Sequence, residues 1–256
     1  MITAAVAVAG LFLCQDPAPK PQVDRGQQSR SSNSSGSQRR ATLPDREARA
    51  KVKAFEKALK PKKVPMKLRK QALDLFEGGI NRQLIKPLAR FIEEDSSVTL
   101  RRRAVEMLAY QPRDRAKPAI LKLLKKARVT ANPQVHAGLI RALSSAGYDA
   151  KDWRVIKDMF EDDYDTERIP LHEAILDLIA KHKEKQALPL LLRNLDEPAP
   201  KDVHGADNPP AEYWKARWHS WAAWRGKVKQ ALFAITGQNF GSAAEAKAWL
   251  KKNRTY

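Results

Sequence analysis

Apolar residues recur along the middle of the chain with the spacing of amphipathic helices. In the stretch 101–126, Ala104, Val105 and Leu108 lie on one helical face, Pro112 interrupts the pattern, and a leucine-rich run then resumes it. This stretch predicts two short helices joined by a turn. A single helix pair cannot bury its own apolar face, so the pair needs similar neighbours to stack against.

The same pattern recurs and predicts four repeated helix pairs within a repeat body spanning 46–195. In each unit, four apolar residues of the first helix stand at i, i+4, i+5 and i+8, which places them on one face. The four sets are Leu68, Ala72, Leu73 and Phe76; Leu100, Ala104, Val105 and Leu108; Val135, Leu139, Ile140 and Leu143; and Leu171, Ile175, Leu176 and Ile179. Pro87, Pro118 and Pro189 fall at matching places and predict starts of the second helices, with Trp153 in this place in the third unit.

Both ends of the repeat body are predicted to be closed by additional helices. A helix beginning at Arg46 forms the N-terminal cap, and the proline-rich segment 196–212 is an inserted loop. The segment 213–256 contains five of the six tryptophans and predicts a helical C-terminal cap. Gly237 ends its first helix, and Ser242 together with Glu245 forms a capping box for the second.

The second unit, RRRAVEMLAYQPRDRAKPAILKLLKK, resembles the two-helix unit of the HEAT-repeat family. The resemblance covers 66–195, although the third unit departs from it with the short second helix DWRVIKDMFEDD. The stretch TGQNFG, followed by a Trp-bearing helix, is similar to the tail of exported bacterial HEAT-repeat proteins. The resemblance implies an all-α fold: a right-handed α-solenoid of HEAT-like helix pairs with N- and C-terminal capping helices. It also implies a role in binding other macromolecules, and it brings no catalytic residues.

The net charge of +19 is concentrated near the N-terminus, where residues 20–70 carry 16 basic and 4 acidic side chains. Residues 15–45, rich in Pro, Ser, Gln and Arg, predict a disordered basic linker. The apolar run within residues 1–14 predicts a signal segment, and therefore an exported protein in the periplasm or cell envelope. Cys14, the only cysteine, is a candidate site for a lipid anchor. No transmembrane span is expected in the mature chain.

The sequence contains no recognisable catalytic motif, cofactor motif or metal-ligand spacing, so we expect no enzymatic activity, no cofactor and no metal. We predict a macromolecule-binding scaffold whose partner is a protein. The basic tail also suits a polyanion, either a cell-envelope polymer or a nucleic acid. The alternative is a HEAT-like nucleic-acid-binding protein, or an enzyme similar to DNA alkylpurine glycosylases, that uses a basic groove.

Two groups of cationic residues form the candidate binding surface. In a stack of helix pairs, the non-core sides of successive first helices line up, so basic residues there predict a row of charges. This row is either a solvated face or a polyanion-binding ridge. The tryptophan stripe is interpreted as core, with a platform for bases or sugars as the alternative. Its two arginines are expected either to stack on the indoles or to pair with acids of the previous repeat. The candidate residues are Lys67, Arg69, Lys70, Arg101, Arg102, Arg103, Arg217 and Arg225.

Overall fold

A computed structural model describes residues 40–61, 63–160, 164–200 and 205–253. The predicted signal segment, Cys14 and most of the predicted linker lie outside the described residues. Helices dominate the described part, whose only strands are two two-residue segments, so the predicted all-α class is confirmed. No helix among these residues combines the length and the apolarity that a membrane crossing requires.

Twelve α-helices follow one another along the described ranges. They are α1 (Asp45–Leu59), α2 (Met66–Asp74), α3 (Ile85–Glu94), α4 (Val98–Ala109), α5 (Arg113–Leu124), α6 (Ala127–Thr130), α7 (Pro133–Ala146), α8 (Trp153–Ile156), α9 (Ile169–His182), α10 (Leu188–Arg193), α11 (Ala211–Thr236) and α12 (Ala243–Lys252). Short 3-10 turns precede α3, α8, α9 and α10. Helix α4 packs on α7, α7 on α9, and α9 on α11.

The apolar ladders of the first helices form the core, as the sequence predicts. Every member of the four sets is buried except Leu68, which is 48% exposed. The prediction for Leu68 is wrong because this residue lies in the first turn of α2, where neither α1 nor α4 covers it fully. Its counterpart in the second unit, Leu100, is only 2% exposed.

The last residues assigned to the linker belong to the folded part of the chain. Strand β1 (Ala41–Thr42) pairs in parallel with β2 (Gly79–Ile80), which lies in the turn after α2. The guanidinium of Arg40 lies 4.4 Å from the centre of the Tyr110 ring, a cation–π contact that reaches the second unit. The chain is therefore held to the repeat body several residues before α1 begins.

Polar side chains in the turns between paired helices connect neighbouring units. Asn81, Asp149 and Glu184 each cap a 3-10 turn by accepting a backbone N–H two residues further on, at 2.8, 3.2 and 2.9 Å. The Gln111 side chain accepts from the Asn81 N–H at 3.0 Å, and the Tyr148 hydroxyl donates to Glu184 at 2.5 Å. These hydrogen bonds fix the spacing of the turns independently of the apolar core.

The prolines of the second helices do not all mark helix starts. Pro87 and Pro189 lie in the first turn of α3 and α10, but Pro118 is inside α5, which begins at Arg113 after Pro112 at the N-cap. The Arg113 Nε donates to the carbonyl of Ala146, the last residue of α7, at 3.1 Å. The helix start therefore connects the second unit to the third.

His136, in α7, is a buried titratable group in the core. It is 4% exposed, and its Nε2 lies 3.1 Å from the Met159 sulfur. Burial and, to a smaller extent, the charge of Arg168 lower the pKa of His136 to about 4. The folded protein therefore keeps this imidazole neutral at pH values where an unfolded chain would protonate it.

We expect the protein to lose stability as the pH falls from about 6.5 towards 4, because only the unfolded state then takes up a proton at His136. Between pH 7.5 and 5.5 this linkage lowers the free energy of unfolding by roughly 1.4 kcal/mol. Urea unfolding at both pH values measures it, and in His136→Leu this part of the pH dependence is expected to disappear. An unchanged pH dependence in His136→Leu would assign the effect to other groups.

Candidate binding site

The structure separates the basic residues that the sequence places in one ridge. Arg101 is only 8% exposed, and its Nε donates to the carbonyl of Ile92 at 2.7 Å. Its Nη2 lies 3.3 Å from the carbonyls of both Arg128 and Val129. Burial, followed by the charge of Arg128, lowers the pKa of Arg101. Arg101 therefore connects α4 to the end of α3 and to α6, and it does not belong to the exposed surface.

Two further arginines of the predicted ridge are held by carboxylates of other helices or connections. Arg69 lies 2.6 Å from Asp95, whose side chain is almost fully buried. Arg103 forms ion pairs with Asp74 and Glu77 at the end of α2. These pairs join successive units. The positive charges of Arg69 and Arg103 are therefore largely neutralised within the protein and are less available to a polyanion.

Lys67, Lys70 and Arg102 are the members of the ridge that stay exposed, and none has an ion-pair partner in the described ranges. Lys67 and Lys70 lie in α2, whose Arg69, but neither lysine, lines an open groove of about 1160 Å³ between α1 and α3. Phe55 and Phe91 line this groove but are only 3% and 5% exposed. The two rings therefore contribute little to the exposed surface of the groove.

The second candidate group lies on α11, which is much longer than the helix that it packs against. With 26 residues α11 is about 39 Å long, whereas the 14 residues of α9 reach about 21 Å. Val228, Leu232 and Ile235 are buried in the C-terminal half. The residues before Ser220 are exposed or half-buried, so the N-terminal half of α11 extends beyond the packed core.

Aromatic rings and arginines cover this extension. The Arg217 guanidinium carbon lies 5.2 Å from the centre of the Tyr164 ring and 5.6 Å from that of Trp214. Arg225 lies 5.0 Å from the centre of the Trp221 ring, so the predicted stacking of both arginines on aromatic rings is confirmed. We call this group the aromatic–arginine surface; it comprises Tyr213, Trp214, Arg217, Trp218 and Arg225, with the buried rings of Tyr164 and Trp221 beneath its two arginines.

The tryptophans divide between core and surface, so the interpretation of the whole stripe as core is only partly right. Trp224 and Trp221 are 1% and 7% exposed, whereas Trp218 is 47% exposed. The indole N–H of Trp218 donates to the Glu197 carboxylate at 2.5 Å, which orients the exposed ring. The interpretation fails at Trp218 because α9 begins at Ile169 and its His172 already lies against Trp224, so α9 does not cover this earlier part of α11.

Ser144 and His182 have the residue types of a nucleophile and its general base, but their hydrogen bonds do not suit catalysis. Ser144 Oγ lies 3.0 Å from His182 Nε2, and the same nitrogen lies 3.1 Å from the Ser144 carbonyl oxygen. A nitrogen that donates to this carbonyl carries a proton and cannot accept one from the hydroxyl. The pair also lies near the end of α7, where the negative end of the helix dipole opposes an oxyanion.

The described residues contain no group of three or more His, Cys, Asp or Glu side chains that could hold a metal ion. His204, in the inserted loop, lies outside them. The aromatic–arginine surface is thus the site whose side chains are best suited to recognition. Comparisons with family models, curated proteins and solved structures find no match for this chain.

Proposed function

We propose that the protein is a non-enzymatic binding scaffold of the HEAT-repeat type that contacts a protein partner through its aromatic–arginine surface. The observation that carries this proposal is the exposure of Trp218 and Tyr213, 47% and 36%, beside Arg217 and Arg225. Tryptophan, tyrosine and arginine dominate the binding energy of protein interfaces. The rings are already held in place by their neighbours, so binding would order few additional side chains.

The order of helix packing supports the HEAT-like pairing in this proposal, and the right-handed sense of the solenoid is what the family resemblance implies. The four ladder-bearing helices α2, α4, α7 and α9 are each followed by a second helix, and α4, α7 and α9 pack in succession. On this assignment α1 is the N-terminal cap, and α11 with α12 closes the C-terminal end. If α11 covers the apolar face of the last repeat, only the part of α11 that extends beyond this face stays accessible to a partner.

A protein fits the aromatic–arginine surface better than a nucleic acid does. The Glu197 carboxylate, bonded to the indole of Trp218, places negative charge beside the most exposed ring, where it would repel a phosphate. Arg69, Arg101 and Arg103, which a basic groove would need, already have protein acceptors. The experiment below tests this proposal against the alternative, a HEAT-like nucleic-acid-binding protein or a glycosylase-like enzyme.

We further propose that the mature protein acts in the periplasm or cell envelope, with Cys14 as a candidate lipid anchor. The apolar run before Cys14 and the basic, polar stretch after it support this location, since together they resemble an export segment and a tether. The tether would also provide a second, electrostatic contact with a polyanionic envelope polymer.

The test compares capture of proteins from envelope fractions by the full chain and by Trp218→Ala/Arg225→Ala. These two side chains are seven residues apart, so they lie about 10 Å apart along one side of α11. We expect the affinity of the double variant for a specific partner to fall by at least about 30-fold, since even one hot-spot residue contributes ~2 kcal/mol or more.

Phe233→Ala is the matched control, because Phe233 is 49% exposed on the same helix but about 22 Å along its axis from Trp218. It is expected to capture the partner like the wild type. Equal capture by all three proteins would contradict the proposal. Capture that nuclease treatment abolishes would favour the nucleic-acid alternative.

A further inference from the structure

The end of α1, the connection to α2 and the start of α2 together form a strongly basic stretch. From Lys57 to Lys70 the sequence has seven basic residues and no acidic one. We call the exposed members of this stretch the lysine corner; it comprises Lys57, Lys60, Lys63, Lys67 and Lys70 together with Met66 and Leu68. None of its ammonium groups has an ion-pair partner in the described ranges.

Two large apolar side chains among these lysines are about half exposed. Met66 and Leu68, in the first turn of α2, are 50% and 48% exposed. Exposed aliphatic side chains are common singly, but here they share one helical turn with unpaired lysines. The corner is held firmly, because Arg69 in the same turn lies 2.6 Å from Asp95 and donates to Ser96 at 3.1 Å.

We infer that the lysine corner docks on the surface of an anionic lipid bilayer. The lysine stems can lie along the apolar boundary while their ammonium groups stay at the headgroups, and Met66 and Leu68 can enter the boundary between them. Clusters of four to eight basic residues beside such side chains bind anionic lipid, and each contributes about fivefold in partitioning. The five lysines of the corner can bind lipid headgroups without first breaking an ion pair within the described residues.

The other two anionic partners fit less well. Nucleic acids recruit exposed aromatic rings and arginines, but the exposed large aromatic side chains of the described residues, Tyr213, Trp218 and Phe233, all lie in α11. Met66, Lys67, Leu68 and Lys70 do not line the neighbouring groove, so an acidic peptide held there would leave these side chains uncovered. A bilayer needs neither the groove nor a stacking platform, only the exposed corner.

The experiment measures partitioning of the full chain onto vesicles of phosphatidylcholine with 30% phosphatidylglycerol, about 0.1 M salt being present. The corner variant carries Lys60→Gln/Lys63→Gln/Lys67→Gln. The control variant carries Lys229→Gln/Lys247→Gln/Lys251→Gln, which removes the same charge from exposed lysines of α11 and α12. We expect the corner variant to partition about 100-fold more weakly than the wild type and the control to change by less than about fivefold. Met66→Ser/Leu68→Ser is expected to weaken partitioning roughly tenfold at unchanged charge.

Equal losses in the two triple variants would show that net charge alone drives binding and would overturn the proposal. So would a wild type that binds these vesicles no better than phosphatidylcholine alone. Loss of oligonucleotide binding in the corner variant, with vesicle binding intact, would assign the corner to nucleic acid instead. Protein capture by the aromatic–arginine surface uses other residues, so either proposal can fail while the other holds.

Discussion

Leu100→Asp is expected to abolish cooperative folding of the repeat body. Leu100 is 2% exposed in α4, within the apolar ladder of the second unit. A carboxylate there would be buried without a partner or would have to be protonated, at a cost of several kcal/mol. Domains are stable by only about 5–15 kcal/mol, so this one change removes most of the margin. Thermal unfolding followed by circular dichroism measures the effect.

Leu68→Asp is the matched control, with the same residue, the same substitution and the same position in the repeat. Because Leu68 is 48% exposed, we expect its free energy of unfolding to change by less than about 0.5 kcal/mol. If both variants unfolded alike, α2 would be covered in solution and the first turn of α2 would belong to the core. If neither unfolded, the assignment of the ladders would be wrong.

Arg101→Ala is expected to give the second largest loss of stability, about 3 kcal/mol. The substitution removes a guanidinium whose nitrogens contact the carbonyls of Ile92, Arg128 and Val129 and leaves those buried oxygens without a donor. Arg101→Lys is expected to recover less than half of the loss, because a single ammonium group cannot span the acceptors of a planar guanidinium. Urea unfolding of each variant measures these differences.

Arg102→Ala separates the structural role of Arg101 from a simple loss of charge. Arg102 is the exposed neighbour in the same helix, and its removal is expected to cost less than about 0.5 kcal/mol. If Arg101→Ala kept full stability but lost partner binding, the arginine would be the contact residue that the sequence predicts. The hydrogen bonds of the folded protein argue for the opposite result.

The helices and most of the core follow from local patterns, which is why the sequence predicts them well. The ladders appear as apolar residues at fixed spacing, and Gly237 ends α11 with a φ of 72°, a conformation that favours glycine. Ser242 caps α12 as predicted, at 3.2 Å from the Glu245 N–H. The Glu245 side chain reaches Gly241 instead of Ser242, so the reciprocal half of the predicted box is shifted by one residue.

The binding surface could be predicted only in part, because exposure and pairing depend on residues that are distant in sequence. The acceptors of Arg103 lie 26 and 29 positions away, in α2 and just after it. No spacing rule shows that these arginines are already paired. The exposure of Trp218 depends on where α9 begins relative to α11, and a helical wheel carries no information on where a neighbouring helix begins.

The two proposed surfaces use different helices, one in the first unit and one in the C-terminal cap. The lysine corner lies at the start of α2, and the aromatic–arginine surface lies mainly on α11. A protein docked on a bilayer by the lysine corner could present the aromatic–arginine surface to a partner. The Arg69–Asp95 ion pair would hold α2, which carries the corner, to the end of α3. Substitutions in one surface are expected to leave the function of the other unchanged.

The most direct test of partner binding is site-specific photo-crosslinking in intact cells. A photoreactive residue at position 218 or 225 is expected to capture one protein partner in a nuclease-resistant product, whereas the same residue at position 233 captures none. Capture at all three positions alike, or of nucleic acid only, would contradict the assignment of the aromatic–arginine surface as a protein-binding site.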